Sequence, residues 1–199
     1  MLDHYSGATR VHLIVGDPIA QVKSPFGVTQ AFEAAGRDAI CVPAHVPPAA
    51  LEAWWAGARR AQNLDGLIVT VPHKFACTAF CDQLSERAAF LGAVNTVRRN
   101  AQGQWEGDMF DGLGYVRALE KNGCQPRGLR ALLVGAGGAG SAIAHSLVQA
   151  GVSRMRRTVR AEESAAKAGV KMVGPLFLLF GCIMILVMGP MILQLMKAD

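Results

Sequence analysis

The chain has 199 residues, enough for one or two small domains with apolar cores, and it carries a net charge of +5. Part of this charge comes from arginines at positions 154, 156, 157 and 160. No aromatic residues are interleaved with them, so we exclude a nucleic-acid-binding surface. Five scattered cysteines argue against a disulfide framework, and residues 1–6 hold no apolar segment, so we expect no secretory signal peptide.

Short apolar runs alternate with segments of helical spacing over the first 122 residues. Strands are predicted at residues 11–15, 39–43, 67–71, 93–99 and 103–107. One helix is predicted to begin with Ser24 as its N-cap and Pro25 in its first turn. Others are predicted after Pro48, over residues 75–91 as one or two helices, and over residues 111–122. Strands that alternate with helices predict an α/β fold with a parallel sheet.

A second predicted unit begins with an apolar run at residues 131–134, which ends in a glycine turn. The turn consists of Gly135, Ala136, Gly137, Gly138, Ala139 and Gly140, and residues 141–150 then have helical spacing. A strand, a glycine turn and a helix in this order predict the start of a Rossmann dinucleotide-binding unit. Gly135 permits the tight turn, Gly137 lets backbone N–H groups approach a pyrophosphate, and Gly140 lets the helix pack close to the strand.

Polar side chains fall near the ends of the predicted strands, where open parallel sheets bind their ligands. They form three sequence pairs: Asp17 with Ser24, Thr70 with Lys74, and Asn95 with Asp111. A lysine and an aspartate can share a proton beside a substrate hydroxyl, while serine, threonine and asparagine can orient a carboxylate and hydroxyls by hydrogen bonds. Taken singly, each residue also has a simpler interpretation as a helix cap, a strand residue, a surface charge or a turn residue.

Four short motifs surround these polar residues. They are residues 16–25 (GDPIAQVKSP), 69–74 (VTVPHK), 92–96 (GAVNT) and 107–112 (GDMFDG). Together with the glycine turn they resemble, in the same order, the motifs of the shikimate dehydrogenase family. The resemblance extends over residues 11–151, and five ordered matches make it far more specific than a single glycine motif.

The resemblance implies oxidation of the C3 hydroxyl of shikimate, or reduction of 3-dehydroshikimate, with NADP as hydride carrier and NAD as the alternative. It implies that Lys74 and Asp111 are the catalytic pair at the reacting hydroxyl. By the same resemblance, Ser24 binds the substrate carboxylate, and Thr70 and Asn95 bind the ring substituents. The glycine turn is then the cofactor motif.

One departure from the family pattern concerns the substrate. The family has a His-Ser pair where this chain has Gln21 and Val22, and that serine helps to bind the substrate carboxylate. Valine cannot donate a hydrogen bond. Either the affinity for shikimate is lower, or the substrate is quinate or a related hydroxy acid.

No metal site is predicted. Cys77 and Cys81 share one face of the helix predicted after His73, but no fourth ligand is evident. The family that the motifs resemble needs no metal.

The cofactor half is expected to be incomplete after residue 150. Residues 153–155 are too polar for a buried second strand, and the remaining strands and the C-terminal helix of the family are absent from the sequence. Arg157 has two alternative roles, as a contact to the 2′-phosphate of NADP or as part of a basic membrane flank, and we favour the flank. We expect little or no activity, because half of the cofactor sheet is missing and its edge is exposed.

The last part of the chain contains 25 uncharged residues in a row, 172–196. As a helix this run is roughly 37 Å long, and a bilayer core of about 30 Å needs no more, so we predict a hydrophobic transmembrane helix. The basic cluster before it places residues 1–170 in the cytoplasm, anchored to the inner membrane. The alternative is a buried helix of a water-soluble domain. Residues 160–172 and the apolar run resemble the C-terminal end of inner-membrane F-type proteins of type II secretion and tight-adherence pilus systems.

We therefore divide the chain into a substrate-binding domain at residues 1–112, a truncated NAD(P)-binding segment at 113–155, and a basic flank with hydrophobic helix at 156–199. The abrupt join near residues 152–158 suggests a fusion of two unrelated gene fragments, by deletion or by a sequence assembly error. Three functions stay open: an oxidoreductase, a membrane component of a secretion or pilus system with a vestigial head, and a substrate-binding module without turnover. A homo-oligomer is compatible with each of them.

Overall fold

The computed structural model describes residues 5–135 and 137–158, with side chains as far as Arg156. These residues fall into two compact units, of which the first comprises residues 5–131 and 137–155 and the second residues 132–135 and 156–158. The predicted span at 172–196 and the resemblance to secretion proteins lie outside the described residues. Within the described ranges, no helix has the length and apolarity that a bilayer crossing requires.

The elements follow the predicted alternation. The strands are β1 Arg10–Gly16, β2 Ala39–His45, β3 Leu64–Val69, β4 Gln83–Leu84, β5 Thr96–Arg99, β6 Trp105–Asp108, β7 Arg130–Val134 and β8 Arg154–Thr158. The α-helices are α1 Ser24–Ala34, α2 Leu51–Ala58, α3 Glu86–Leu91, α4 Asp111–Lys121 and α5 Gly138–Gln149. Short 3₁₀ helices cover Pro48–Ala50 and Ala76–Phe80. The predicted α/β class is confirmed.

The main sheet has six strands in the order β2-β1-β3-β5-β6-β4. β1 runs parallel to β2 and β3, as predicted, but β5 runs antiparallel to both β3 and β6. The predicted parallel sheet is thus confirmed for β1, β2 and β3, whereas β5 is reversed because a tight turn, and not a helix, joins it to β6. In that turn Asn100 N–H donates to Gln104 O at 2.8 Å, and such a short link can only reverse the chain.

The antiparallel strand brings the polar residues to one edge of the sheet. Asn95 precedes β5, and its backbone accepts from Val69 N–H at 2.7 Å and donates to Asp108 O at 2.9 Å. Since β5 runs against its neighbours, its start lies beside the ends of β3 and β6. The ends of β1, β3 and β6 and the start of β5 therefore share one edge, here called the carboxyl edge.

The core lies under this sheet and is built around two tryptophans. Trp55 stacks on Phe80 with ring centroids 5.5 Å apart and meets Trp105 edge-on at 4.8 Å. Trp55 and Trp105 are both buried, so they are packing residues of this core. Buried aliphatic side chains complete the cluster, among them Val15, Leu51, Leu64, Leu67, Val69, Val94 and Val97.

Two local predictions at helix starts were wrong. Ser24 is not an N-cap: α1 already begins at Ser24, its N-cap is Lys23, and no side chain caps it. Pro25 does lie in the first turn, as predicted. The helix predicted after His73 is the 3₁₀ helix Ala76–Phe80, so Cys77 and Cys81 do not share a helical face, since Cys81 lies beyond its end in extended conformation.

A strand is present at residues 154–158, where the polar residues 153–155 predicted none. β8 pairs with β7 in a separate two-stranded sheet. Arg154 and Arg156 are exposed and Met155 between them is half-buried, so the strand alternates between solvent and a partly covered face. Arginine disfavours a strand buried on both faces, but a strand with one face in water accepts it.

Helices α4 and α5 pack at close range through a glycine. A Cβ atom at Gly112 would overlap the carbonyl oxygen of Ala142 and the Oγ of Ser146. Gly112, Ala142 and Ser146 are all buried. The absence of a side chain at Gly112 is therefore what lets α5 approach the first turn of α4.

We predict that Gly112→Ala lowers the unfolding free energy by about 1–3 kcal/mol, because the added methyl group forces the two helices apart. Gly114→Ala in the same helix is the matched control, since its Cβ meets nothing within 4 Å. There the alanine should stabilise by about 0.5–1 kcal/mol through helix propensity. Urea unfolding of both variants measures the difference, and an unchanged midpoint for Gly112→Ala would contradict the close packing.

Candidate active site

Lys74 follows β3 on a loop that is held at several points. His73 is buried, and its Nε2 lies 2.7 Å from the carbonyl oxygen of Val46. The backbone N–H of His73 donates to Thr70 O at 2.9 Å, and Lys74 O accepts from Val94 N–H at 2.8 Å. These bonds fix the backbone of Lys74 at the carboxyl edge.

Asp111 is the first residue of α4 and reaches the same place from the other side. The ammonium group of Lys74 donates to Oδ2 of Asp111. The two side chains are only 12% and 23% exposed, so this ion pair is shielded from water more than a surface pair. The structure thus brings the two residues of the predicted catalytic pair together, and their catalytic role stays a prediction.

Asn95 orients the carboxylate of Asp111. Its Nδ2 donates to Oδ1 of Asp111 at 2.6 Å, while its Oδ1 accepts from Phe110 N–H at 2.9 Å and from Thr96 Oγ1 at 3.1 Å. One oxygen of the carboxylate is thus bound to the asparagine and the other to the lysine. We call Lys74, Asn95 and Asp111 the catalytic cluster, after the role that the family resemblance implies for Lys74 and Asp111; that role stays a prediction.

The catalytic cluster is suited to moving a proton. A lysine beside a fixed carboxylate can give a proton to a ligand oxygen as the ammonium and take one from it as the neutral amine, since the carboxylate stabilises the ammonium that forms. The pair is also partly open to solvent, which leaves access for a ligand. An asparagine that fixes the carboxylate reduces the reorganisation that proton transfer requires.

Ser24 and Thr70 are not joined to the catalytic cluster by any side-chain hydrogen bond that the structure shows among its described residues. Ser24 is exposed in the first turn of α1. Thr70 donates its backbone N–H to Val15 O at 2.9 Å, and its methyl group fills the space beside Gly16. Their predicted contacts to a substrate therefore stay predictions.

The start of α5 lies against the lysine. A Cβ at Gly138 would be 3.3 Å from Cβ and Cδ of Lys74, so the helix begins on the aliphatic stem of that side chain. At Gly137 a Cβ would meet nothing within 4 Å, which leaves its backbone open to an approaching phosphate. The open space at Gly137 and the close packing at Gly138 are both compatible with a turn that binds the pyrophosphate of a dinucleotide.

The other residues predicted to bind the cofactor are described less fully. Gly135 belongs to the second unit and has a φ of +114°, a conformation that favours glycine. Ala139 and Gly140 lie in α5 and are half-buried. Ala136 and the side chain of Arg157 are outside the described residues, so their predicted roles stay predictions.

Sequence reasoning missed a second charged group behind the catalytic cluster. The carboxylate of Asp108, at the end of β6, accepts from Arg87 Nε at 2.6 Å, from Met109 N–H at 2.7 Å and from Ser85 Oγ. Ser85 is also the N-cap of α3 and accepts from Ala88 N–H at 3.2 Å. The sequence does show Ser85 before a helix and Arg87 two residues later, but this pattern does not indicate that Asp108 is their partner.

Asp108 is ionised more readily than an ordinary aspartate. Partial burial acts to raise the pKa of its carboxyl group, but the hydrogen bonds from Arg87, Ser85 and Met109 N–H and the charge of Arg87 outweigh it, so the pKa is lowered. The group therefore stabilises the fold in its charged form.

An α/β domain, a paired lysine and aspartate at its carboxyl edge, and a helix that begins at Gly138 beside the lysine are arranged as in a dinucleotide-linked dehydrogenase. The family of the shikimate dehydrogenase substrate binding domain matches residues 14–97. Residues 14–97 of the chain therefore belong to the shikimate dehydrogenase family.

Three relatives illustrate the similarity. Shikimate dehydrogenase (NADP(+)) of Anaeromyxobacter sp. (strain Fw109-5) is 43% identical over 173 residues, which are 85% of this chain and 61% of the relative. The structure of shikimate 5-dehydrogenase from Listeria monocytogenes, in complex with shikimate and NAD, matches with a TM-score of 0.71 and 32% identity over 79% of this chain and 54% of that one. Ligand-free 5-ketofructose reductase of Gluconobacter sp. strain CHM43 matches with a TM-score of 0.66 and 31% identity over 75% and 53%.

The chain thus spans 61% of the Anaeromyxobacter relative's length.

We predict that the contribution of Asp108 to stability disappears in acid. Because its pKa is lower in the folded state, the stabilisation is present in full above the unfolded-state pKa and is lost as the pH falls through the folded-state value. Asp108→Asn should be less stable than the unaltered protein at pH 7, and the difference in unfolding free energy should shrink below about pH 4. Urea unfolding at several pH values measures it; a difference that stays constant down to pH 2.5 would contradict this role.

Proposed function

We propose that this chain is the substrate-binding part of a shikimate dehydrogenase-type oxidoreductase, which interconverts a ring hydroxyl and a ketone with NADP. The observation that carries the proposal is the catalytic cluster: a shielded lysine–aspartate pair, held by an asparagine, on which the helix of the glycine turn begins. A structural role alone does not account for such a cluster, because the cost of desolvating two charges offsets much of the attraction within a partly buried ion pair.

The proposed division of labour follows the chemistry of each side chain. NADP, when bound, supplies the acceptor for the hydride that leaves the substrate carbon. As the ketone forms, Lys74 in its neutral amine form accepts the proton of the hydroxyl and Asp111 stabilises the resulting ammonium, which returns the proton in the reverse direction. Ser24 binds the carboxylate, and Thr70 and Asn95 bind the neighbouring hydroxyls.

The cofactor proposal rests on the glycine motif and on the relatives. Gly137 and Gly138 have the free space and the close packing that a pyrophosphate-binding turn requires. The Anaeromyxobacter relative is named for NADP(+), while the Listeria structure contains NAD. We therefore propose NADP as the cofactor, with NAD as the alternative, and residues 113–155 as the part of the chain that binds it.

The substrate is proposed as a class. Val22 cannot supply the hydrogen bond of the family's serine, and the Gluconobacter relative is named for the reduction of 5-ketofructose. A hydroxy acid or polyol with neighbouring hydroxyls satisfies the polar groups of the site. Shikimate is the first candidate and quinate the second.

A second proposal concerns residues 172–196, in which 25 consecutive residues are uncharged. We propose that this run anchors the chain in a membrane, with the enzyme-like part in the cytoplasm. Its support is the length of the run and the basic cluster before it. The proposal is independent of whether the preceding domain turns over a substrate.

We predict that Lys74→Ala lowers kcat/KM for shikimate-dependent NADPH formation by about 10²–10⁴-fold, because the proton acceptor of the pair is removed. The measurement is the absorbance of NADPH with the full chain. Lys121→Ala, an exposed lysine in the last turn of α4, is the matched control and should retain full activity. Equal turnover by Lys74→Ala and by the unaltered protein would remove Lys74 from the mechanism.

A protein that binds shikimate in calorimetry but forms no NADPH would be a binding module without turnover. That result contradicts the enzyme proposal and leaves the substrate site in place. Absence of both binding and turnover with shikimate and with quinate contradicts the proposed function as a whole.

For the membrane proposal, we predict that the full chain stays in the membrane pellet after carbonate extraction. Replacing Ile185 and Leu186 with lysine should release it, because each charge at the centre of a span costs about 2.5–3.5 kcal/mol. Replacing Ala161 and Ala165 with lysine adds the same charge outside the run and should leave the pellet unchanged. Extraction of the unaltered chain into the soluble fraction would contradict the anchor.

A further inference from the structure

We infer that Arg87 is a positioning residue for the proposed oxidoreductase: it holds the turn that presents the carboxylate of Asp111. This turn comprises residues 108–111 and joins β6 to α4; it is called the 108–111 turn below. Arg87 lies on α3, outside the four motifs that resemble the family. The inference rests on the proposed function for its effect on turnover, but not for its effect on the geometry of the turn.

Arg87 binds Asp108, the first residue of the 108–111 turn, with two hydrogen bonds. Its Nε donates to Oδ1 of Asp108 at 2.6 Å and its Nη2 donates to Oδ2 at 2.5 Å. A forked arginine–carboxylate pair fixes orientation as well as distance. The side chains of Arg87 and Asp108 are 32% and 24% exposed, so water screens the pair only in part.

The same guanidinium also covers the third residue of the turn. Its central carbon lies 4.6 Å from the centroid of the Phe110 ring, a cation–π contact. Phe110 is 43% exposed in the presence of this contact, so the guanidinium covers part of a large apolar side chain that faces solvent. One side chain thus contacts residues on both sides of Met109 and sets the shape of the turn.

The backbone of Phe110 transmits this constraint to the catalytic cluster. Phe110 N–H donates to Oδ1 of Asn95 at 2.9 Å, and Nδ2 of the same Asn95 donates to Asp111 at 2.6 Å. A shift of Phe110 would therefore displace the asparagine and the carboxylate together. α4 has no side-chain hydrogen bond that caps it at Phe110, so a capping bond of the helix cannot replace the contacts of Arg87 with the turn.

A comparable ion pair nearby provides a control. Nε of Arg98 on β5 donates to Oε2 of Glu106 on β6 at 2.8 Å, and Nη2 of Arg98 lies 2.7 Å from the same oxygen. This is also an arginine–carboxylate pair, but it engages one oxygen instead of two, Arg98 is 73% exposed, and among the described residues it has no contact with the 108–111 turn that the structure shows. Loss of Arg98 removes an arginine–carboxylate pair from the same sheet without loosening the 108–111 turn.

The experiment compares Arg87→Ala, Arg87→Lys and Arg98→Ala in the full chain. We expect Arg87→Ala to lower kcat by about 10²-fold with KM changed less than about threefold, since a catalytic group that is misplaced by about 1 Å costs that much. Arg87→Lys keeps the charge but lacks the fork and should recover only part of the loss. Arg98→Ala should keep the kcat of the unaltered protein. An unchanged kcat in Arg87→Ala, or an equal fall in Arg98→Ala, would overturn the inference.

A second readout does not need turnover. The side-chain amide signals of Asn95 in ¹⁵N NMR spectra report its bond to Asp111, and we expect them to move in Arg87→Ala and to stay in place in Arg98→Ala. If the unaltered chain forms no NADPH, the proposed function fails while these signals still decide the positioning role. Asn95 signals that coincide in Arg87→Ala and the unaltered protein would overturn it.

Discussion

The ion pair between Lys74 and Asp111 is the interaction on which the functional interpretation depends. A lysine and an aspartate so far apart in the sequence meet because β3 and β6 end at the same edge of the sheet. The antiparallel strand β5 between them makes this possible, since its first residues supply Asn95 at the same edge. The reversed strand, which separates this sheet from a simple parallel one, is thus also the element that completes the catalytic cluster.

Two glycines allow helix α5 to lie close to this ion pair. Gly138 lets α5 begin on the stem of Lys74, and Gly112, directly after Asp111, lets the same helix cross α4 at backbone distance. Lys74 and Asp111 therefore each lie next to a glycine contact with α5. A methyl group at either position would act on the site through the packing of this helix, without touching a ligand.

The strands and their order along the chain could be predicted, because apolar runs and turn residues are local signals. Lys74, Asn95 and Asp111 could be named as candidates because they follow or flank predicted strands, but only the resemblance of the motifs to a family selected them, since each residue alone has a simpler interpretation. The antiparallel pairing of β5 with β3 could not be predicted, because an apolar run does not show which way its strand runs. The contact between Arg87 and Asp108 was missed because it depends on tertiary packing. The strand β8 was missed because arginines are unfavourable in a strand that is buried on both faces, and β8 has one face in solvent.

The most direct test of the account is a crystal structure of the full chain soaked with shikimate. The account predicts that a ring hydroxyl of the ligand lies within hydrogen-bond distance of Lys74 and Asp111, with the ligand carboxylate toward Ser24. A ligand bound elsewhere, or a bound ligand with these two side chains apart and turned away from it, would contradict the account.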